Sequence, residues 1–143
     1  MTQASMIPKF PICVRLPVQW GEMDAFQHVN NVIYFRWFET ARIQLFQALN
    51  LTQINHLGPI LAHTDCQFLA PLTWPDEVLV GVRVSKIGTK SFTTEYQVSR
   101  ASQPDQAVAR GSGVVVLYDY KNECSAPLSD AHRLALQAYL FSS

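Results

Sequence analysis

The chain has 143 residues, 48% of them hydrophobic, which is the size of one ordinary domain with material for a real core. Eleven basic and eleven acidic residues cancel, and no block of like charge appears, so the electrostatic footprint of a duplex-binding protein is missing and nucleic acid is not an expected partner. No stretch approaches the roughly 18 consecutive apolar residues of a membrane span. Residues 1–9 lack a charged segment followed by an apolar run, and Cys13, Cys66 and Cys124 are an odd set without C-x-x-C spacing; together these predict a cytoplasmic protein with reduced thiols, one domain over residues 1–143, no membrane contact and no metal.

In chain order, Phe10, Ile12, Val14, Leu16, Val18 and Trp20 alternate with Pro11, Cys13, Arg15, Pro17 and Gln19, the period-2 pattern of a half-buried strand. Pro11 and Pro17 have no N–H to give a ladder, so this strand belongs at an edge or carries a bulge. From residue 30 to 50 the period changes. Tyr34, Phe38, Ala41, Leu45 and Leu49 fall at helical spacing behind Asn30 as N-cap, and Val32, Ile33, Phe35 and Trp37 put apolar area on the other faces, which predicts a helix buried nearly all round over its first half. Glu39 and Arg42, at i and i+3, are expected to pair as ions.

A loop is expected around residues 55–59. Residues 60–70 then alternate, with Ala62, Thr64, Cys66 and Phe68 on one side and His63, Asp65 and Gln67 on the other, before Pro71 and the Trp74-Pro75-Asp76 turn. Residues 78–87 and 91–100 read as a hairpin joined at Gly88-Thr89-Lys90. Residues 107–118 form a last long strand, where Gly111 and Gly113 share a face with Ala109 and leave room for another backbone or a ligand. Ser129 caps a short final helix with Leu134, Ala138 and Phe141 as its apolar stripe. One antiparallel sheet packed on one long helix satisfies this order.

The chemistry concentrates in residues 20–42. Asp24 stands a few residues ahead of the long helix, whose N-terminus offers unpaired N–H groups near Asn31 and Val32 and a partial positive charge. A carbonyl oxygen polarised there, with Asp24 acting on the same carbon, is a plan for acyl transfer. Read from the residue alone, Asp24 also fits a cap or turn role, and Glu22 is the nearest competing carboxylate. His28 either orients substrate or Asp24 or packs beneath the helix. Asn30 and Asn31 either cap the helix or touch the acyl group, and Tyr34, one turn further in, either lines a pocket or fills the core. Lys86, Lys90 and Arg100 are candidates for phosphate contacts or ordinary solvated charges. His63 and Asp65 share a strand face but have no third ligand nearby, so no metal site is expected.

Asp24, His28-Val29-Asn30-Asn31, Tyr34 and Glu39-Thr40-Ala41-Arg42 resemble the signature of the hotdog-fold acyl-CoA thioesterases typified by 4-hydroxybenzoyl-CoA thioesterase. Residues 68–72 and 87–92 agree with it as well, so the resemblance spans nearly the whole chain. It implies an α+β hotdog fold, an antiparallel sheet of about five strands wrapped around one long central helix with a short C-terminal helix. It also implies hydrolysis of an acyl-CoA without a cofactor. Asp24 is then nucleophile or general base, with His28 and Asn31 beside it, and Asn30, Val32, Tyr34 and Lys90 contact substrate. Some relatives carry a His where this chain has Asn31, which puts a second acid/base at that position in question. Relatives assemble at least as dimers with sheets joined edge to edge, so a homodimer or homotetramer is expected. The alternatives are an acyl-carrier-protein thioesterase, an enoyl-thioester hydratase, whose Asp-x-Asn-Pro-x-His pattern is absent here, and an acyl-thioester binding module without turnover, against which the intact Asp24 argues.

Overall fold

The computed structural model describes residues 6–51 and 56–141; the first five residues of the opening segment and Asn55 of the expected loop lie outside them. Eight regular elements follow in the order β1 (Ile12–Pro17), α1 (Asn31–Ala48), β2 (Leu57–Phe68), β3 (Glu77–Ile87), β4 (Ser91–Arg100), β5 (Ala107–Asp119), β6 (Cys124–Ser125) and α2 (Asp130–Gln137). The strands form one antiparallel sheet in the order β1-β3-β4-β5-β2, and the two-residue β6, which the sequence did not suggest, pairs with the end of β5. β1 and β2 are the edges, which accommodates Pro17 and Pro59 within strands.

Val78, Val80, Val82 and Val84 of β3 and Phe92, Thr94, Tyr96 and Val98 of β4 are fully buried, as are Phe38, Ala41 and Leu45 of α1. The alternation of the strands and the 3.6-residue spacing of the helix thus meet in one core, the hotdog arrangement of a sheet around a central helix. Phe38 stacks on Tyr96 with centroids 4.5 Å apart. A Cβ on Gly111 would run into the Phe38 ring and the Asp65 carbonyl, and one on Gly113 would press on Leu61 and Thr94. The room predicted beside Ala109 is therefore filled by the protein's own side chains and backbone.

Four expectations need correction. α1 is not buried all round: Val32 is 62% exposed and Arg36 and Glu39 face outward, because the sheet covers only one side of the helix. The Glu39–Arg42 ion pair does not form. Arg42 turns inward and donates through Nη1 to the Tyr96 hydroxyl at 3.1 Å, and Thr94 Oγ1 bonds the same hydroxyl at 2.8 Å. The first strand stops at Pro17, and the chain turns out through a 3-10 turn at Trp20–Glu22, so Trp20 leaves the sheet face that the alternation assigned to it. In α2 the inward residue is Leu136, 1% exposed, while Leu134 is 72% exposed. Backbone bonds from Val84 N–H to Tyr139 O (2.9 Å) and from Phe141 N–H to Val84 O (2.8 Å) dock the chain just past α2 against β3 and fix which side of the helix faces in. Among the described residues no helix is long and apolar enough to cross a membrane.

Candidate active site

The segment between the 3-10 turn and α1 is a closed loop. Met23 and Val29 pair as an isolated antiparallel bridge. Inside it the Asp24 N–H donates to the His28 carbonyl at 2.7 Å, and the Gln27 N–H donates to the Asp24 carbonyl at 3.0 Å. Gln27 takes φ 65°, a left-handed conformation that a non-glycine residue holds only where its surroundings fix it. The fixing contacts come from the turn after β2. Thr73 Oγ1 donates to the Gln27 carbonyl at 2.9 Å, the Val29 N–H to the Leu72 carbonyl at 2.8 Å, and the Trp74 N–H approaches Met23 Sδ at 3.4 Å.

Within this loop the Asp24 carboxylate is asymmetric. Oδ1 accepts the Phe26 N–H at 2.9 Å and the His28 N–H at 3.3 Å, an Asx-type local closure. Oδ2 meets no donor among the described residues, and Asp24 as a residue is exposed. Glu22, the competing carboxylate, likewise has one oxygen held, its Oε1 accepting the Gln19 N–H at 2.7 Å across the 3-10 turn, but it borders a different cavity, with Leu16, Ile33, Arg36 and Trp37.

The helix start divides its donors. Asn30 caps α1, its side chain accepting the Val32 N–H at 3.1 Å and its carbonyl the Ile33 N–H at 2.9 Å. Val32 therefore has its N–H taken, whereas the Asn31 N–H finds no acceptor among the described residues and keeps the positive end of the helix available.

Asp24, His28, Asn31, Tyr34, Phe68 and Pro71 surround a pocket of about 290 Å3. His28 is exposed there and touches Asp24 only through its backbone, so it does not pack beneath the helix. Tyr34 does both of the things expected of it. It is 3% exposed and meets Trp37 and Phe68 edge-on at 5.1 and 5.0 Å, while still bordering the pocket. Burial above all, with the nearby Cys66 thiol adding to it and Arg100 opposing, pushes the Tyr34 hydroxyl up to about 12. Burial likewise pushes Cys66 up to about 11, with Asp65 adding to it, so neither group is an anion at neutral pH.

Lys90 is not brought to this pocket. It sits at the β3–β4 hairpin, whereas Asp24 lies near the Glu77 and Arg100 ends of those strands, about 30 Å away along a ten-residue strand. A cation at the site end is Arg100, which donates through Nη2 to the Pro71 carbonyl at 2.8 Å and stands 3.4 Å from Asp76. A second cavity, about 690 Å3, also borders Asp24 and is lined by Trp20, Met23, Thr73 and Trp74 among others. In the sequence Trp20 reads as a strand residue and Trp74 as part of a turn, and the signal for this cavity is two large aromatics flanking the Asp24 segment and the Pro71–Pro75 turn. Among the described residues no three of His, Cys, Asp and Glu gather as metal ligands. His63 and Asp65, 3.2 Å apart, remain a pair, with Ser112 bound to the same Asp65 oxygen.

The chain is similar in fold and sequence to several known proteins. A solved Pseudomonas aeruginosa protein shares the fold with a TM-score of 0.86 at 24% identity, over 96% of this chain and 97% of that one. A Thermus thermophilus thioesterase solved with coenzyme A and zinc is 32% identical with a TM-score of 0.80, over 92% and 96% of the two chains. An uncharacterised Bacillus subtilis protein, YsmA, is 32% identical over 83 residues, 57% of this chain and 56% of its own, so the match spans just over half of that relative. A putative esterase of Aquifex aeolicus is 28% identical over 106 residues, covering 71% of this chain and 80% of that protein. The family model of the thioesterase-like superfamily matches residues 18–136, from the end of the first strand to the last helix, and the chain belongs to that superfamily.

Proposed function

We propose that this chain hydrolyses acyl-CoA thioesters to free acid and CoA in the cytoplasm, with Asp24 as the catalytic carboxylate. The observation that carries the reading is the division of labour within that side chain: Oδ1 is held by two backbone N–H groups while Oδ2 meets no donor among the described residues, and Asp24 lines the same pocket as Asn31 at the start of α1. In one route Oδ2 takes a proton from water, the water oxygen adds to the thioester carbon, and the tetrahedral oxyanion collapses with loss of the thiolate, which receives the proton from Asp24. In the other, Oδ2 itself adds to the carbon, the thiolate leaves, and water then cleaves the mixed anhydride. Both routes put negative charge on the former carbonyl oxygen. The Asn31 N–H is the helix-start donor best placed to receive it, and such a donor contributes about 3 kcal/mol of barrier lowering. His28 and Tyr34 shape the pocket around the acyl–sulfur linkage, and Asn30 acts by capping the helix that aims the Asn31 N–H.

The site opens to solvent beside the exposed Phe68 at the end of β2, an edge strand of 12 residues, and the exposed Leu69 that follows it. A second copy along that edge, in a homodimer or homotetramer, closes it, and Lys90 enters the reading only as a phosphate contact supplied by such a copy. The test is thiol release from short, medium, long and aromatic acyl-CoAs and from acyl-carrier-protein thioesters. Turnover of any acyl-CoA supports the reading. Release from carrier-protein thioesters alone moves the substrate to that class, and no release from either overturns hydrolysis.

A further inference from the structure

Three consecutive residues of the turn after β2 each hold the Asp24 loop. The Leu72 carbonyl accepts the Val29 N–H at 2.8 Å where the loop leaves for α1, and the Trp74 N–H meets Met23 Sδ at 3.4 Å where the loop begins. Between these two, Thr73 Oγ1 donates to the Gln27 carbonyl at 2.9 Å and lies 3.5 Å from Met23 Sδ. Leu72 and Trp74 act through their backbones, whereas Thr73 acts through its side chain. Thr73 is also exposed, so little packing is at stake when its hydroxyl is removed.

The Gln27 carbonyl and the His28 N–H belong to one peptide unit, which is planar and rigid. Holding its oxygen therefore sets the direction of its N–H, and that N–H is the 3.3 Å donor to Asp24 Oδ1. The hydrogen bond to the carbonyl also polarises the peptide and strengthens the N–H as a donor. Gln27, at φ 65°, is in a conformation that needs such support from outside the loop. The other donor to Oδ1, the Phe26 N–H at 2.9 Å, belongs to a different peptide. Resting on the thioesterase reading above, we infer that Thr73 is a positioning residue of the reaction: its hydroxyl, acting through the Gln27–His28 peptide, holds the Asp24 carboxylate in the orientation that its catalytic role requires. Without that hydroxyl, Oδ1 keeps one of its two donors and the carboxylate can turn about it.

Two variants separate this from a packing role. Thr73→Val keeps the shape of the side chain and removes the donor, and Thr73→Ser keeps the donor and removes the methyl group. With an acyl-CoA that the wild type hydrolyses, at matched folded fraction, Thr73→Val is expected to lower kcat about tenfold or more with KM changed by less than about threefold. Thr73→Ser is expected to stay within about threefold of the wild type in both. A Thr73→Val enzyme with wild-type kcat, or a Thr73→Ser enzyme as slow as Thr73→Val, overturns the inference and leaves hydrolysis standing. A second measurement needs no turnover. The His28 amide, followed by hydrogen exchange in NMR spectra, is expected to exchange about tenfold faster in Thr73→Val and at the wild-type rate in Thr73→Ser. Unchanged exchange in Thr73→Val overturns the link from Thr73 to the carboxylate. Faster exchange that serine reverses, in a protein that releases no thiol, supports that link while overturning hydrolysis.

Discussion

Asp24 and His28 hold each other through their backbones in both directions: the Asp24 N–H donates to the His28 carbonyl at 2.7 Å, and the His28 N–H donates to Asp24 Oδ1 at 3.3 Å. The carboxylate is thereby anchored by the loop it belongs to, while its second oxygen meets no donor among the described residues. Asparagine keeps the accepting Oδ1, so Asp24→Asn is expected to melt within a degree or two of the wild type. Asp24→Ala removes the local closure and is expected to cost about 1 kcal/mol, the size of a lost cap. Thermal denaturation of the two variants side by side checks this.

Capping by Asn30 has a separate consequence. Asn30→Ala frees the Val32 N–H and loses a side-chain cap, with an expected destabilisation of about 1 kcal/mol in urea unfolding, while Asn30→Asp or Asn30→Ser retains most of it.

Phe38 occupies the space that Gly111 leaves. Gly111→Ala forces a Cβ into the Phe38 ring and the Asp65 carbonyl and is expected to destabilise by about 1–3 kcal/mol, measured by denaturant titration.

How far the sequence announced the fold differs from element to element. α1 was legible because Tyr34, Phe38, Ala41 and Leu45 repeat over more than three turns behind a recognisable cap, and the β3–β4 hairpin because Gly88-Thr89-Lys90 interrupts two long alternating runs. Asp24 was legible as a motif, and the asymmetry of its two oxygens was not, since that depends on where the N–H groups of Phe26 and His28 point. Periodicity gives a spacing but not the neighbour that covers a face, which is why it puts Leu134 and Val32 inward although both are exposed. Spacing within a helix made Glu39 the expected partner of Arg42, while the true partner, Tyr96, is 54 residues away in sequence on the sheet. For the same reason Lys90 read as a site residue: its distance from Asp24 is set by strand length and pairing.

The Arg42 assignment is testable on its own. Tyr96→Phe removes the hydroxyl that accepts from Arg42 and bonds Thr94, and is expected to cost about 1–3 kcal/mol because a buried donor loses its acceptor. Glu39→Gln, on the exposed face, is expected to change stability by less than about 0.5 kcal/mol. Equilibrium unfolding of both variants separates an inward hydrogen bond from a surface ion pair.

Tyr34 sets an alkaline limit. Its ordinary value of 10 is raised to about 12 by burial, so the folded state holds the proton that the unfolded state gives up first. The contribution is fully present below pH 10 and is lost as pH rises from about 10 to about 12. In Tyr34→Phe, unfolding free energy followed over that window is expected to fall less steeply than in the wild type.

The most direct test of the central claim is kcat/KM for thiol release from whichever acyl-CoA the wild type turns over fastest, measured for wild type and Asp24→Asn at matched folded fraction. A loss of about a hundredfold or more in a variant that melts like the wild type is the predicted result. Turnover by Asp24→Asn within a few-fold of the wild type would contradict the account, because the bare Oδ2 would then have no part in the chemistry.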